Sequence, residues 1–227
     1  MLTLHFAPDN ASLIVRMALL ELGLPFQTVL VDRSVRAQDH ADYRALNPAG
    51  LIPVLETPEG PLFETGAILL WLVDQFGQIG PQLGQPSRAD FLKWLFFLSN
   101  TVHADLRQVF YPDQYVPQTA KTAHHGLITA RLIRHFSVLD PVVAARPDLF
   151  GPGMALSIYL LVLARWARLY PTDGPVWLQL DTFPALARLA ATCDGRTAVR
   201  AAAQAEGIGP SLFLIPSPCN PTLGSVL

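Results

Sequence analysis

Asn47-Pro48-Ala49-Gly50-Leu51-Ile52-Pro53-Val54-Leu55, with Leu62-Phe63-Glu64-Thr65-Gly66-Ala67-Ile68 a few residues on, decides the reading of this 227-residue chain. The order is a turn, a proline-led strand, a hairpin and an acidic helix start. Pro53 has no amide hydrogen and opens an apolar run, so it belongs at the first residue of a strand, and Ile52-Pro53 is expected to be cis with the Ile52 backbone turned outward. Glu64-Thr65 falls where a helix begins. Thr65 is expected to cap that helix, with its unpaired amides and positive dipole end facing an anionic group. Together these parts describe a receptor for peptide backbone beside a receptor for an anion.

Working outward, Leu2, Leu4 and Phe6 alternate with Thr3 and His5 as in a strand, and Pro8-Asp9-Asn10 separates them from a helical run over residues 13–22. Gly23 stops that helix, residues 27–31 are rich in β-branched types, and residues 41–46 form a short helical piece before Asn47-Pro48. After the proline-led strand, Thr57-Pro58-Glu59-Gly60 makes a turn. The first ~80 residues therefore run βαβαββα around a small sheet. Gly77, Gly80, Pro81, Gly84 and Pro86 cluster in a loop. Beyond it the pattern is helical throughout: residues 87–110, 119–145, 151–169, 183–192 and 196–205, broken at Tyr111-Pro112 and Arg146-Pro147. These divisions give units at 1–78 and 87–208, joined by a linker at 79–86, and a Pro-rich segment at 209–227 expected to be an extended surface tail or disordered.

Composition narrows the function classes. Hydrophobic residues make up 51% and charged residues 15%, which describes a compact globule with a large core. Sixteen Lys+Arg against eighteen Asp+Glu give a net charge of −2 without a basic block, so no nucleic-acid partner is expected. The opening residues lack a cationic lead and a cleavage motif, and the longest apolar segment, 154–164, is too short to span a bilayer; the expectation is a cytoplasmic protein with no membrane partner. Cys193 and Cys219 lack metal-ligand spacing, and His124-His125 face different sides of a helix. No metal site is expected.

This arrangement resembles the glutathione transferases along nearly the whole chain, on the segment from Asn47 to Thr65. Further matches are Val102-His103-Ala104-Asp105, Phe183-Pro184-Ala185-Leu186, Arg196-Thr197-Ala198-Val199 and Ala205-Glu206-Gly207, which look most like the bacterial beta class. The resemblance implies an α/β thioredoxin-like N-terminal domain that binds glutathione, an all-α C-terminal domain that supplies a pocket for the electrophile, and a homodimer engaged in detoxification. By position it implies that Ile52, with Pro53 cis, pairs its main chain with the cysteinyl part of glutathione, and that Glu64 and Thr65 hold the γ-glutamyl end. The glycyl carboxylate is assigned a cation from the loop before Asn47, Arg36 or Arg33. Asn100 and His103 reach the thiol side from the helical domain.

A free thiol with a pKa of about 8.5 is only a few per cent ionised at neutral pH, and lowering that value by roughly two units takes about 2.7 kcal/mol. Ser12, at a helix start, and Asn10 are the groups expected to stabilise the thiolate. Ala11 stands where beta-class members carry a cysteine, so no mixed disulfide forms there, and Leu51 replaces a polar residue. The expected activity is conjugation of glutathione, as co-substrate, to a small apolar electrophile. The alternatives are a glutathione-binding or interaction module without turnover, and a lyase or reductase acting on a glutathione adduct.

Overall fold

The computed structural model describes residues 1–172 and 174–225. Strand β1 (Leu2–Phe6) pairs in parallel with β2 (Phe26–Leu30) and antiparallel with β3 (Val54–Thr57), which in turn pairs antiparallel with β4 (Gly60–Phe63), so the sheet order is β2-β1-β3-β4. Leu4 lies opposite Thr28 on one side and Leu55 on the other. Leu4 and Leu55 are both fully buried, because the central strands alternate toward a covered face.

That cover is helix α1 (Ser12–Glu21), whose first eight residues are all buried. A helix apolar all round must be enclosed. Here β1 lies on one side and α3 (Thr65–Phe76), α8 (Ala155–Leu169) and α10 (Thr197–Ala205) pack around the rest. The short α2 (Ala41–Leu46) leads into the Asn47 loop. The remaining helices are α4 (Arg88–Phe97), α5 (Ala104–Phe110), α6 (Lys121–Ala145), α7 (Pro147–Phe150) and α9 (Pro184–Asp194), and among the described residues no strand follows β4. Helix α8 is the axis of this part, buried at every position from Ala155 to Ala167. Its first amide donates to the Ile79 carbonyl at 2.8 Å, which pins the connecting loop to it.

The sequence pattern over residues 87–110 predicts one helix. The structure instead places a π-helical turn, Leu98–His103, between α4 and α5. Such turns widen the helix by one residue and shift which side chains share a face.

Residues 209–225 carry no regular structure, yet the alternative of a disordered tail is corrected. The Asp194 carboxylate accepts from the Leu212, Phe213 and Leu214 amides at 3.0, 2.8 and 2.9 Å, and Arg165 donates to the Leu212 and Ser217 carbonyls at 3.1 and 2.8 Å. Leu212 and Phe213 are buried. Side chains therefore satisfy the backbone groups that no ladder or helix does.

Candidate functional site

A cavity of about 570 Å³ opens between the sheet layer and the helices. From the sheet side it is lined by Asp9, Asn10 and Ala11 of the β1–α1 loop, by Leu51, Ile52 and Pro53, and by Glu64 and Thr65. Ser99, His103, Arg107, Phe110 and Tyr111 line it from the helical side, with Tyr159, Trp166 and Tyr170 behind.

The Asn47 loop is held from below. The Leu51 carbonyl accepts from the Tyr43 hydroxyl at 2.8 Å and from Asn47 Nδ2 at 2.7 Å, while Asn47 Oδ1 accepts from the Ala49 amide at 3.0 Å. Gly50 adopts φ 64°, and a Cβ there would lie 3.0 Å from the Gln38 carbonyl oxygen, so the turn needs glycine on both counts. The Ile52-Pro53 bond is cis. Among the described residues no hydrogen bond engages the Ile52 amide or carbonyl, which leaves one donor and one acceptor of the main chain unspent at the cavity wall.

Glu64 lies at φ 70°, ψ 116°, a positive-φ conformation that side chains rarely adopt, directly before α3. Its carbonyl accepts from the Ile68 amide at 2.9 Å, and its side chain makes no capping hydrogen bond to the helix. Thr65 is thus the first helical residue rather than the cap, which corrects its expected role. The first turn faces the cavity beside a carboxylate, so the same few ångströms can receive an ammonium and a carboxylate of one amino acid.

On the opposite wall, His103 Nδ1 and the Tyr159 hydroxyl share a hydrogen bond at 2.9 Å. Burial, then the Arg107 charge, lowers the His103 pKa to about 4, and burial raises that of Tyr159. At neutral pH the pair is an uncharged imidazole and an intact phenol.

Comparison with known proteins matches this geometry. The profile described as "Glutathione S-transferase, N-terminal domain" fits residues 11–75. Glutathione S-transferase GST-4.5 of Xanthomonas campestris pv. campestris is 29% identical over 210 residues, covering 90% of this chain and 98% of that protein. A sphingomonad glutathione S-transferase, solved in complex with glutathione, is 30% identical over 90% of this chain and 98% of its own, with a TM-score of 0.75. The chain belongs to the glutathione transferase family. A bacterial beta-class member from Sphingomonas chungbukensis is 28% identical over 90% of this chain and 98% of its own, with a TM-score of 0.74. The α/β thioredoxin-like layer followed by a helical layer is the architecture of this family.

Within this glutathione transferase fold, three sequence-predicted site residues lie elsewhere. Ser12 is fully buried, its hydroxyl donating to the Ala7 carbonyl at 3.0 Å and accepting from the Ala7 amide at 3.3 Å, so it ties the loop together instead of facing the cavity. Arg36 is exposed, turned away in a left-handed conformation and paired with Asp39 at 2.7 Å. Arg33 lines the cavity in its place, donating to the Tyr111 hydroxyl at 3.0 Å. Asn100 is exposed and accepts from the Ser99 hydroxyl at 2.8 Å. The residues that share the cavity face are Ser99, His103 and Arg107, each four apart, and one step along turns a side chain roughly a quarter of the way round. Asn10 does line the cavity, with Oδ1 accepting from the Ala11 amide at 2.7 Å.

Sequence reasoning missed Asp9. This buried carboxylate accepts from Trp166 Nε1 at 2.9 Å and the Tyr170 hydroxyl at 2.7 Å, as well as from Arg165, and its own amide donates to Glu206 at 2.8 Å. Glu206 in turn accepts from Arg16 at 2.8 Å. Its only local signal is position, in a Pro-Asp-Asn turn that welcomes φ 47°. Tyr159, Trp166 and Tyr170 also line the cavity.

Proposed function

We propose that this family member joins the thiolate of glutathione to a small, largely apolar electrophile. The observation that carries the reading is the unspent main-chain N–H and C=O of Ile52 beside Glu64 and the start of α3, all on one cavity. Ile52 pairs with the cysteinyl residue as one rung of an antiparallel ladder. Glu64 takes the ammonium, Thr65 and the first α3 amides take the γ-glutamyl carboxylate, and Arg33 takes the glycyl carboxylate. Asn10 and the amino end of α1 stabilise the sulfur anion, with Ser12 acting only through the loop it holds. His103, being neutral, shapes the site by hydrogen bonding instead of supplying charge.

Residues 1–78 serve as the glutathione-binding unit and 87–208 as the electrophile-binding unit. The protein works in the cytoplasm as a homodimer, a reading that rests on the resemblance to the family. No helix among the described residues is long and apolar enough to cross a membrane.

A calorimetric titration with glutathione tests the proposal. Saturable binding supports it, and no heat at millimolar ligand overturns it. The withdrawn Ser12 hydroxyl, together with Ala11, favours a second reading, a glutathione-binding module without turnover. Binding without conjugation across a broad electrophile panel would establish that reading.

A further inference from the structure

Among the described residues the Arg107 guanidinium meets no counter-ion. It lines the cavity from α5, half-buried, and among the described residues its side chain takes part in no ion pair and no hydrogen bond. Other arginines withdrawn from solvent have partners: Arg16 is paired with Glu206, Arg165 with Asp9 and Arg88 with Asp74, and Arg168 donates to the Phe213 and Leu214 carbonyls. Arg134, Arg188 and Arg200, likewise outside any ion pair among the described residues, are exposed to water. A guanidinium partly withdrawn from solvent gains by meeting an anion, and its charge already depresses its neighbour His103.

Its setting constrains what would complete it. Arg107 stacks on the Tyr111 ring, 5.3 Å from guanidinium carbon to centroid, and the phenol oxygen of that ring accepts from Arg33. A guanidinium held over an aromatic face keeps its N–H groups for an acceptor beside the ring, and a carboxylate matches their fork. Of the two carboxylates lining the cavity among the described residues, Asp9 is saturated by Arg165, Trp166 and Tyr170, and Glu64 lies across the cavity on the sheet side. Phe110 and Trp166 flank the same end, edge to face with centroids 6.5 Å apart.

Resting on the conjugation reading above, we infer that the electrophile is an aromatic or similarly flat apolar molecule bearing a carboxylate, and that Arg107 is the specificity-determining residue that reads that anion. The flat body lies against Phe110, Tyr111 and Trp166, and the carboxylate accepts from the guanidinium edge. In the transfer itself the glutathione sulfur forms a bond to the electrophilic carbon; for a chloroarene the carbon–chlorine bond breaks, chloride departs with the electron pair, and the thiol proton passes to water.

The test measures binding of finished conjugates, so that it does not depend on turnover. Two glutathione conjugates are compared by calorimetry, one made from a chlorodinitrobenzoate and one from the matching uncharged benzamide, on the wild type, Arg107→Gln and Arg107→Lys. The expected result is that the wild type prefers the acid conjugate about tenfold or more, that Arg107→Gln removes the preference, and that Arg107→Lys restores part of it. An unchanged preference in Arg107→Gln overturns the inference. So does equal weakening of both conjugates and of glutathione, which would assign Arg107 to the tripeptide. Wild-type binding of glutathione without preference for the acid conjugate overturns this inference while leaving the conjugation reading intact, whereas absence of glutathione binding removes both.

Discussion

The Arg165 guanidinium grips the Asp9 carboxylate with two bonds, Nε to Oδ1 at 3.0 Å and Nη2 to Oδ2 at 2.8 Å, with both side chains wholly out of water. The pair joins the cavity loop to the central helix across 156 residues of sequence. Removing one partner leaves the other's charge buried without its counter-ion. Arg165→Met is therefore expected to cost about 3–5 kcal/mol in a urea melt. A loss under about 1 kcal/mol would show that the pair is dispensable.

Glu64 is expected to supply the one carboxylate that meets the tripeptide's ammonium. Glu64→Gln keeps the shape and removes the charge, so glutathione affinity should fall about tenfold or more, in line with the ~1.5–3 kcal/mol of a charged hydrogen bond. Calorimetry reads the change directly, and affinity within twofold of wild type would move the ammonium elsewhere.

Asn10 and Ser12 separate cleanly. Asn10→Ala should raise the pKa of bound glutathione thiol, followed by thiolate absorbance in the ultraviolet, because an amide beside the sulfur is lost. Ser12→Ala should move that pKa less and instead lower stability by about 1 kcal/mol, the worth of the hydrogen bonds to Ala7. A larger thiol shift in Ser12→Ala than in Asn10→Ala would reverse the two roles.

His103 makes the fold sensitive to acid. Its pKa is lowered to about 4 in the fold against about 6.5 in the unfolded chain. Between those values the unfolded state binds more protons, so stability rises with pH from about 4 to 6.5 and is lost as the solution is acidified through that window. His103→Gln should flatten the dependence by up to about one proton, measured as the difference in slope of unfolding free energy against pH. Identical slopes would place the imidazole in water.

The parts of the site legible in sequence are those written by local punctuation. Asn47, Gly50 and Pro53 each restrict the backbone by their own chemistry, and Glu64-Thr65 marks a helix start, so the sheet-side wall could be read within a span of twenty residues. Ser12 was misplaced because a serine at a helix start has two uses, outward to a ligand or back to the preceding loop, and only the position of Ala7 decides between them. Asn100 was misplaced because a π turn leaves no mark in an apolar pattern that suits an α-helix equally well. Asp9 and Arg165 were invisible for a different reason: neither residue carries a signal until folding brings the β1–α1 loop onto α8.

The same guanidinium that holds Asp9 also donates to carbonyls at 212 and 217. A nascent chain still threaded through the ribosome at residue 200 would possess every group of the glutathione wall, but its Arg165 would lack two of its acceptors and its Asp9 amide would lack Glu206. The cavity is thus finished only once residues 206–217 have been added, and until they emerge the growing chain lacks the groups that make the pocket rigid.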